Sequence, residues 1–588
     1  MSFLDPKMPD GINLSELRSP SDIKSMDIDQ LQALAAQLRA VLVRRLAATG
    51  GHVGPNLGIV EATVALHYVF DFPKDKLIFD VSHQCYTHKM LTGRIRAYLD
   101  PAHYGDVSGY TSPSESEYDL FAVGHTSTSV ALAAGMAKAR DLKGGSENVV
   151  AVIGDGSLSG GEAFEGLDAA ADLGSNFIVV VNDNQMSIAE NHGGIYRNLD
   201  ELRRTNGTAE CNLFRAIGMD YIYVGYGNDM RSLVEAFRAV KGSKKPVVVH
   251  LNTMKGEGLP VAERDKESFH YSAPFDPRNG ELLHPSDGDN YINLFGRWMC
   301  DLMGDNRDIV VLTAGTPGAI GFPPSRRQML GDRFVDVGIA EQCGVAMSAG
   351  LTKAGMRPVF ALQASFVQRA YDQLEQEVAI NNLPATFVIF NASVWGIPDE
   401  THLGFFATPM FCTIPRFRVL APASLEEFFA MTRWAIEHPE HPTTVIAPCG
   451  PVAHAQEEVE TDYAEVGYRV VEQGDTVAVI AAGDFLGIGR QATALMRAKG
   501  LNPTLISPRI VSDVDPAAME ALKGYKTVIT LEDNSIAGGM GEKIAASLGR
   551  YGLTIHTLGL PKAIPNRFNA AALLEQQGIT PQAIADLV

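Results

Sequence analysis

An α/β protein of three parallel-sheet domains is what the 588-residue chain predicts. Three times an apolar, β-branched strand runs into a polar turn, a helix and another such strand, the pattern of a right-handed crossover between parallel strands. The first instance runs from Val149 to Ile153, breaks at Gly154-Asp155-Gly156, continues through an Ala- and Glu-rich helix, and returns as Phe177 to Val181, ending at Asn182-Asp183-Asn184. The second starts at Ile309 to Leu312 and continues with Arg333 to Val337, Pro358 to Leu362 and Phe387 to Phe390. The third begins near Asp475 with TVAVIAAG, a helix through Arg497, then LNPTLISPRIV and YKTVITLED. The repetition is one of architecture, with no recognisable sequence repeat.

In chain order, residues 28 to 48 read as an amphipathic helix stopped by Thr49-Gly50-Gly51, and His52 to Gly58 as a loop. Ile59 to Phe70 reads as helix, and Leu77 to Val81 as a strand with Ser82-His83-Gln84 at its C-terminal edge. Gly124-His125-Thr126-Ser127 opens another helix. Pro274 to Asn290 has the Pro/Gly/Asp composition of a linker. The boundaries expected are therefore 1–285, 286–455 and 456–588.

Composition narrows the function classes. With 46% hydrophobic and 20% charged residues the chain reads as soluble and globular. A net charge of −20 argues against a nucleic-acid footprint and against docking on anionic membranes. Six scattered cysteines without C-x-x-C spacing fit a reducing cytosol rather than a disulfide framework or zinc cluster. The segment MSFLDPKMPDGINL has neither a basic n-region nor an apolar h-region, so a cytoplasmic protein is expected.

The two polar turns of the first unit lie at strand C-termini, the edge where open α/β sheets bind ligands. Asp155 and Asn184 are 29 positions apart, yet the crossover brings them together. A carboxylate and an amide oxygen are hard ligands suited to Mg²⁺ or Ca²⁺, and Mg²⁺ usually takes one or two carboxylates plus substrate phosphates. Gly154 and Gly156 allow close approach of backbone to phosphate, and a helix start after them favours negative charge. The turn is not a dinucleotide fingerprint, because Ser159 stands where G-x-G-x-x-G needs glycine. An ordinary strand–helix turn capped by aspartate would account for the GDG alone. The NDN at the next strand end favours the metal reading.

GDG followed by NDN resembles the thiamine diphosphate motif, and the likeness extends along the chain. GGH, FDVSHQCYTHKMLTGR, GHTSTSVALAAGMAKARDLKG, GDGSLSGGEAFEGL, NDNQMSI, KGEG, FHYSAPFDP, AEQ, FVQRAYDQ, THLG and LEDNSIAGGMGEKI occur in the order of 1-deoxy-D-xylulose-5-phosphate synthases, within the transketolase-like superfamily. The resemblance implies a thiamine diphosphate-binding fold: a diphosphate- and Mg²⁺-binding domain, a pyrimidine-binding domain and a transketolase-like C-terminal domain. It implies Mg²⁺ held by Asp155, Asn184 and the carbonyl of Met186. Cofactor contacts would come from His83, His125, Gly154, Gly156, Ser157, Lys255 and Phe366. Glu341 would hydrogen-bond the aminopyrimidine ring, and the residues at the reacting carbon would be His52, His125, His270, His402 and Arg369.

The implied activity is decarboxylation of pyruvate and addition of its two-carbon unit to an aldehyde such as D-glyceraldehyde 3-phosphate, by a homodimer serving isoprenoid precursor biosynthesis. A transketolase-type ketol transfer and a catalytically silent paralogue are the alternatives. Retention of Asp155, Asn184 and Glu341 together argues against the silent one. The chain departs from the synthases at the acceptor. Asn391 and Cys449 stand where they carry phosphate-gripping arginines, Gln363 replaces a tyrosine and Pro55 a serine, and the segment after Asn191 is shorter. A charge-assisted hydrogen bond contributes about 1.5–3 kcal/mol, and about 1.4 kcal/mol is tenfold. Losing two, unless another cation such as Arg369 or Lys255 substitutes, predicts a phosphorylated acceptor disfavoured by about two to four orders of magnitude.

Overall fold

The computed structural model describes residues 13–285, 289–438, 440–456, 458–465 and 467–588. They divide into two compact units, one reaching to residue 287 and including 338–340, the other holding the remainder. The first unit is built on one fully parallel sheet of β1 (Lys76–Phe79), β2 (Val149–Gly154), β3 (Phe177–Asp183), β4 (Asp220–Val224) and β5 (Pro246–Asn252), in the order β1-β2-β3-β5-β4. All seven residues of β3 are buried, as expected of a strand covered on both faces. The period of two sorts them. Ile178 and Val180 join the cluster of Leu34, Leu66 and Phe237, while Val179 and Val181 join Ala133, Leu167 and Phe214.

The second unit carries two sheets. One consists of β6 (Ile309–Thr313), β7 (Phe334–Asp336), β8 (Arg357–Gln363), β9 (Thr386–Phe390), β10 (Arg418–Leu420) and β11 (Thr443–Ile446), parallel throughout, in the order β10-β11-β9-β8-β6-β7. The other consists of β12 (Arg469–Glu472), β13 (Val477–Ala481), β14 (Thr504–Ser507), β15 (Thr527–Ser535) and β16 (Thr554–Leu560), in the order β12-β14-β13-β15-β16. Phe360 and Leu362 of one sheet and Ala478 and Ile480 of the other belong to a single buried cluster. That shared core is why the two sheets form one unit.

The three α/β sheets match the fold class expected, with four local corrections. β12 pairs antiparallel with β14, so the last sheet is mixed. Val53–Leu57 is a buried helix rather than loop, because its apolar side chains pack inward despite Gly54 and Pro55. β3 extends through Asp183 and so includes most of the NDN turn. A 3-10 turn at Gly156–Ser159 separates the GDG from the helix, which starts at Gly161; the amides following Asp155 are those of the short turn, not of a long helix. Among the described residues no helix is long and apolar enough to cross a membrane.

Candidate cofactor and active site

Register places the first unit's polar turns side by side. Gly154 pairs with Asn182 across β2 and β3, and the Asp155 N–H donates to the Asn182 carbonyl at 3.1 Å. Asp155 is almost wholly buried, and its Oδ2 accepts from Asn191 Nδ2 at 2.7 Å. Burial, then the nearby Asp183 charge, push its carboxyl up from the ordinary range. Asn184 is buried, and its Oδ1 has no hydrogen-bond partner among the described residues. Met186 lies two residues on, in a turn whose Gln185 has a φ of +65° and which is closed by a Met186–Glu190 bridge. A Cβ on Gly156 would stand 2.7 Å from Ser187 Oγ, so only glycine fits where this turn crosses the other. The Ser157 carbonyl accepts from Ser127 Oγ at 2.8 Å.

One carboxylate, one orphaned amide oxygen and one turn carbonyl make a hard-oxygen donor set, which fits Mg²⁺. An unsatisfied buried oxygen costs about 1–3 kcal/mol, and a cation there would remove that cost. Among the described residues no three His, Cys, Asp or Glu side chains cluster as a metal site of their own.

A second group surrounds His52. Its ring lies 5.0 Å from His83, 5.7 Å from His270 and 5.7 Å from Tyr110, while His83 and His270 stack at 5.4 Å. Backbone pairing explains the convergence. Gly51 N–H donates to the Ser272 carbonyl at 2.8 Å and Gly54 N–H to that of Phe269 at 2.7 Å. Gly51 has a φ of +125°, and a Cβ on Gly50 would meet the Ser272 carbonyl at 2.5 Å. Lys255 is fully buried, with Nζ 2.5 Å from the Ser187 carbonyl and 3.2 Å from His270 Nδ1. Burial lowers it to about 7, against the pull of Asp155. Burial, then the Lys255 charge, hold His270 well below the usual imidazole value. His125 sits in the turn before the Ser129–Leu142 helix, where Ser127 and Ser129 N–H groups donate to the Asp80 carboxylate at 2.8 and 3.0 Å.

In the second unit, Glu341 is the first residue of the Glu341–Lys353 helix and is 3% exposed. Its Oε2 has no hydrogen-bond partner among the described residues and lies 3.7 Å from Arg369 Nη1. Burial raises its carboxyl, partly offset by Arg369. A buried carboxyl with an open oxygen suits a ring nitrogen that shares a proton with it. Phe366 and His402 meet edge to face at 5.7 Å, and His402 Nδ1 is 2.8 Å from Thr401 Oγ1.

Three of the departures from the synthase pattern, Gln363, Asn391 and Cys449, form one network. Gln363 at the end of β8 donates through Nε2 to the Ala319 carbonyl at 2.8 Å, and its Oε1 accepts from Asn391 Nδ2. The Cys449 thiol donates to Asn391 Oδ1 at 3.4 Å, and the Cys449 N–H to Asp484 Oδ2 at 2.8 Å.

Several residues at the first unit's site escape sequence reading. Asn56 Nδ2 donates to the carbonyls of both His52 and His83 at 2.8 and 2.7 Å, and its Oδ1 accepts from Tyr86 N–H at 3.0 Å. Asp80 at a strand end and Asn191 seven residues after Asn184 were visible as polar residues near the motifs. Nothing in the sequence distinguishes Tyr196, whose hydroxyl donates to the Gly156 carbonyl at 3.2 Å.

Residues 14–211 match the family described as 1-deoxy-D-xylulose-5-phosphate synthase. Residues 289–451 match the transketolase pyrimidine binding domain, and residues 467–584 the transketolase C-terminal domain. The 1-deoxy-D-xylulose-5-phosphate synthase of Pelotomaculum thermopropionicum is 35% identical, over 98% of this chain and 96% of its own. Synthase 1 of Geobacter sulfurreducens is 37% identical over 98% and 95%, and the Symbiobacterium thermophilum synthase 36% identical over 98% and 94%. The chain belongs to the 1-deoxy-D-xylulose-5-phosphate synthase family.

Proposed function

We propose that the protein is a thiamine diphosphate- and Mg²⁺-dependent carboligase that releases carbon dioxide from pyruvate and joins the remaining two-carbon unit to an aldehyde. The observation that carries this reading is the buried Asp155–Asn184 pair with its open amide oxygen, in a chain of this family. When bound, thiamine diphosphate supplies the carbon acid that attacks the ketone and takes up the electrons of decarboxylation. Asp155, Asn184 and the Met186 carbonyl hold the metal; Gly154, Gly156 and Ser157 shape the diphosphate turn, with Lys255, His83, His125 and Phe366 as further cofactor contacts. Glu341 takes up and returns a proton at its open oxygen, where burial favours the neutral carboxyl and Arg369 the ionised one. His52, His125, His270 and His402 line the substrate, His270 as a neutral imidazole because burial and the Lys255 charge disfavour its protonation. We assign 1–285 to diphosphate and metal binding, 286–455 to the pyrimidine and 456–588 to a C-terminal domain. We further assign a cytoplasmic homodimer without membrane or nucleic-acid partners; sedimentation tests the dimer.

The Gln363–Asn391–Cys449 network favours a second reading of the acceptor. These side chains satisfy one another and present no cation, so we assign an unphosphorylated aldehyde to this site. Carbon dioxide release from pyruvate, with thiamine diphosphate and Mg²⁺, tests both readings. The carboligase reading expects release. The acceptor reading expects D-glyceraldehyde to stimulate it at least as well as D-glyceraldehyde 3-phosphate. Preference for the phosphorylated triose by tenfold or more defeats the acceptor reading, and no release with either defeats the carboligase reading.

A further inference from the structure

Asp183, between the two asparagines of the NDN turn, is fully buried. Its Oδ1 accepts the Gln185 N–H at 3.0 Å, the contact that holds Gln185 in its left-handed conformation and thereby sets the direction of Asn184 and Met186. Its Oδ2 meets His250 Nε2 at 2.8 Å and Arg203 Nη1 at 2.5 Å. The Asp183 carbonyl accepts from Thr253 N–H at 2.9 Å. His250 is itself fixed. It lies in β5 opposite Val181, it is fully buried, and its Nδ1 is 2.8 Å from the Tyr221 hydroxyl. With Nε2–H donating to the carboxylate, Nδ1 accepts from Tyr221, so one tautomer satisfies both bonds.

Arg203 comes from elsewhere. It belongs to the Ile195–Arg204 helix, in the stretch following Asn191. The same stretch reaches the other half of the motif, with Asn191 Nδ2 on Asp155 Oδ2 at 2.7 Å and Tyr196 Oη on the Gly156 carbonyl at 3.2 Å. One short segment thus grips both turns that offer metal ligands.

We infer that Arg203 and His250 are positioning residues for the metal site: by clamping Asp183 Oδ2 they leave Oδ1 to shape the turn that aims Asn184 and Met186, and Arg203 ties that turn to the Asn191–Arg204 segment. The inference rests on the metal role proposed above for Asp155, Asn184 and Met186. Groups that hydrogen-bond a metal ligand directly typically change affinity about 10–100-fold when removed; Arg203 and His250 act one residue further out, through Asp183, so the low end of that range is expected.

The test is thiamine diphosphate binding by the full chain, followed by calorimetry across a Mg²⁺ series, with thermal unfolding alongside. Arg203→Met should raise the Mg²⁺ concentration for half-saturation about tenfold or more, with excess Mg²⁺ restoring binding. Arg203→Lys, which keeps a charge on Asp183, should recover most of the loss. His250→Asn, which keeps a donor, should fall between wild type and Arg203→Met, and with Arg203→Lys it decides the matter if Arg203→Met does not fold. A half-saturation within twofold of wild type in folded Arg203→Met overturns the inference, as does a binding loss that Mg²⁺ cannot restore. Binding by the wild type that does not depend on Mg²⁺ overturns the metal reading as well, which separates the two failures.

Discussion

Glu341 concentrates the chemistry in one oxygen. A carboxyl that is 3% exposed, with Oε2 unpartnered among the described residues and Arg369 at 3.7 Å, costs folding free energy and does little for packing. Such groups persist where a ligand completes them. Glu341→Gln keeps shape and hydrogen bonding but cannot hold the proton. It should lower turnover by about 10²–10⁴, the usual worth of a positioned acid–base group, while thiamine diphosphate binding stays within a few-fold. Steady-state kinetics beside calorimetric binding checks this; wild-type turnover would remove Glu341 from the mechanism.

At the scale of elements, the site is made by loops being tied to one another, and Asn56 shows how. It sits in the Val53–Leu57 helix and bonds the carbonyls of His52 and His83 and the amide of Tyr86. Asn56→Ala removes three hydrogen bonds made by one buried side chain, each contributing about 0.5–1.5 kcal/mol. It should destabilise the first unit by at least about 2 kcal/mol and raise KM for substrate more than it lowers kcat. Denaturant unfolding and kinetics measure the two effects, and a change below about 0.5 kcal/mol would contradict the accounting. The same element explains what could be read from the chain and what could not. Asp155 and Asn184 were legible because a strand end fixes a polar turn's place and parallel pairing fixes its neighbour. The Val53–Leu57 helix was not: Gly54 and Pro55 disfavour helix locally, and burial decides against them. β12 is four residues of mixed polarity, RVVE, paired antiparallel by a contact distant in sequence, so no local period marks it. Asn191, Tyr196, Arg203 and His250 act through tertiary contacts alone, and their residue types are ordinary for a helix surface or a strand.

At the scale of the whole molecule, the second unit joins two sheets through an apolar core that also encloses acidic groups. Asp484 accepts from the Cys449 and Gly450 amides at 2.8 and 3.3 Å, and the Asp533 carbonyl accepts from Val394 N–H at 3.2 Å. These bonds tie β13–β15 of one sheet to the loops after β9 and β11 of the other. Burial raises Asp484 above the usual aspartate range; burial, then the Asp484 charge, push Asp533 up to about 8. The sign follows by linkage. An unfolded aspartate ionises near 4, whereas the folded chain keeps Asp533 protonated, so its contribution is complete below about pH 4. It declines as pH rises, until the folded group ionises near 8. Asp533→Asn removes that titration while keeping a neutral side chain of the same shape. Relative to wild type it should therefore gain stability between pH 5 and pH 8, by about 1.4 kcal/mol for each pH unit over which only the unfolded aspartate is ionised. Unfolding midpoints of both proteins across that range decide it. A difference that stays constant with pH would mean that Asp533 is ionised in the fold, and that the junction between the two sheets holds a buried charge rather than a neutral carboxyl.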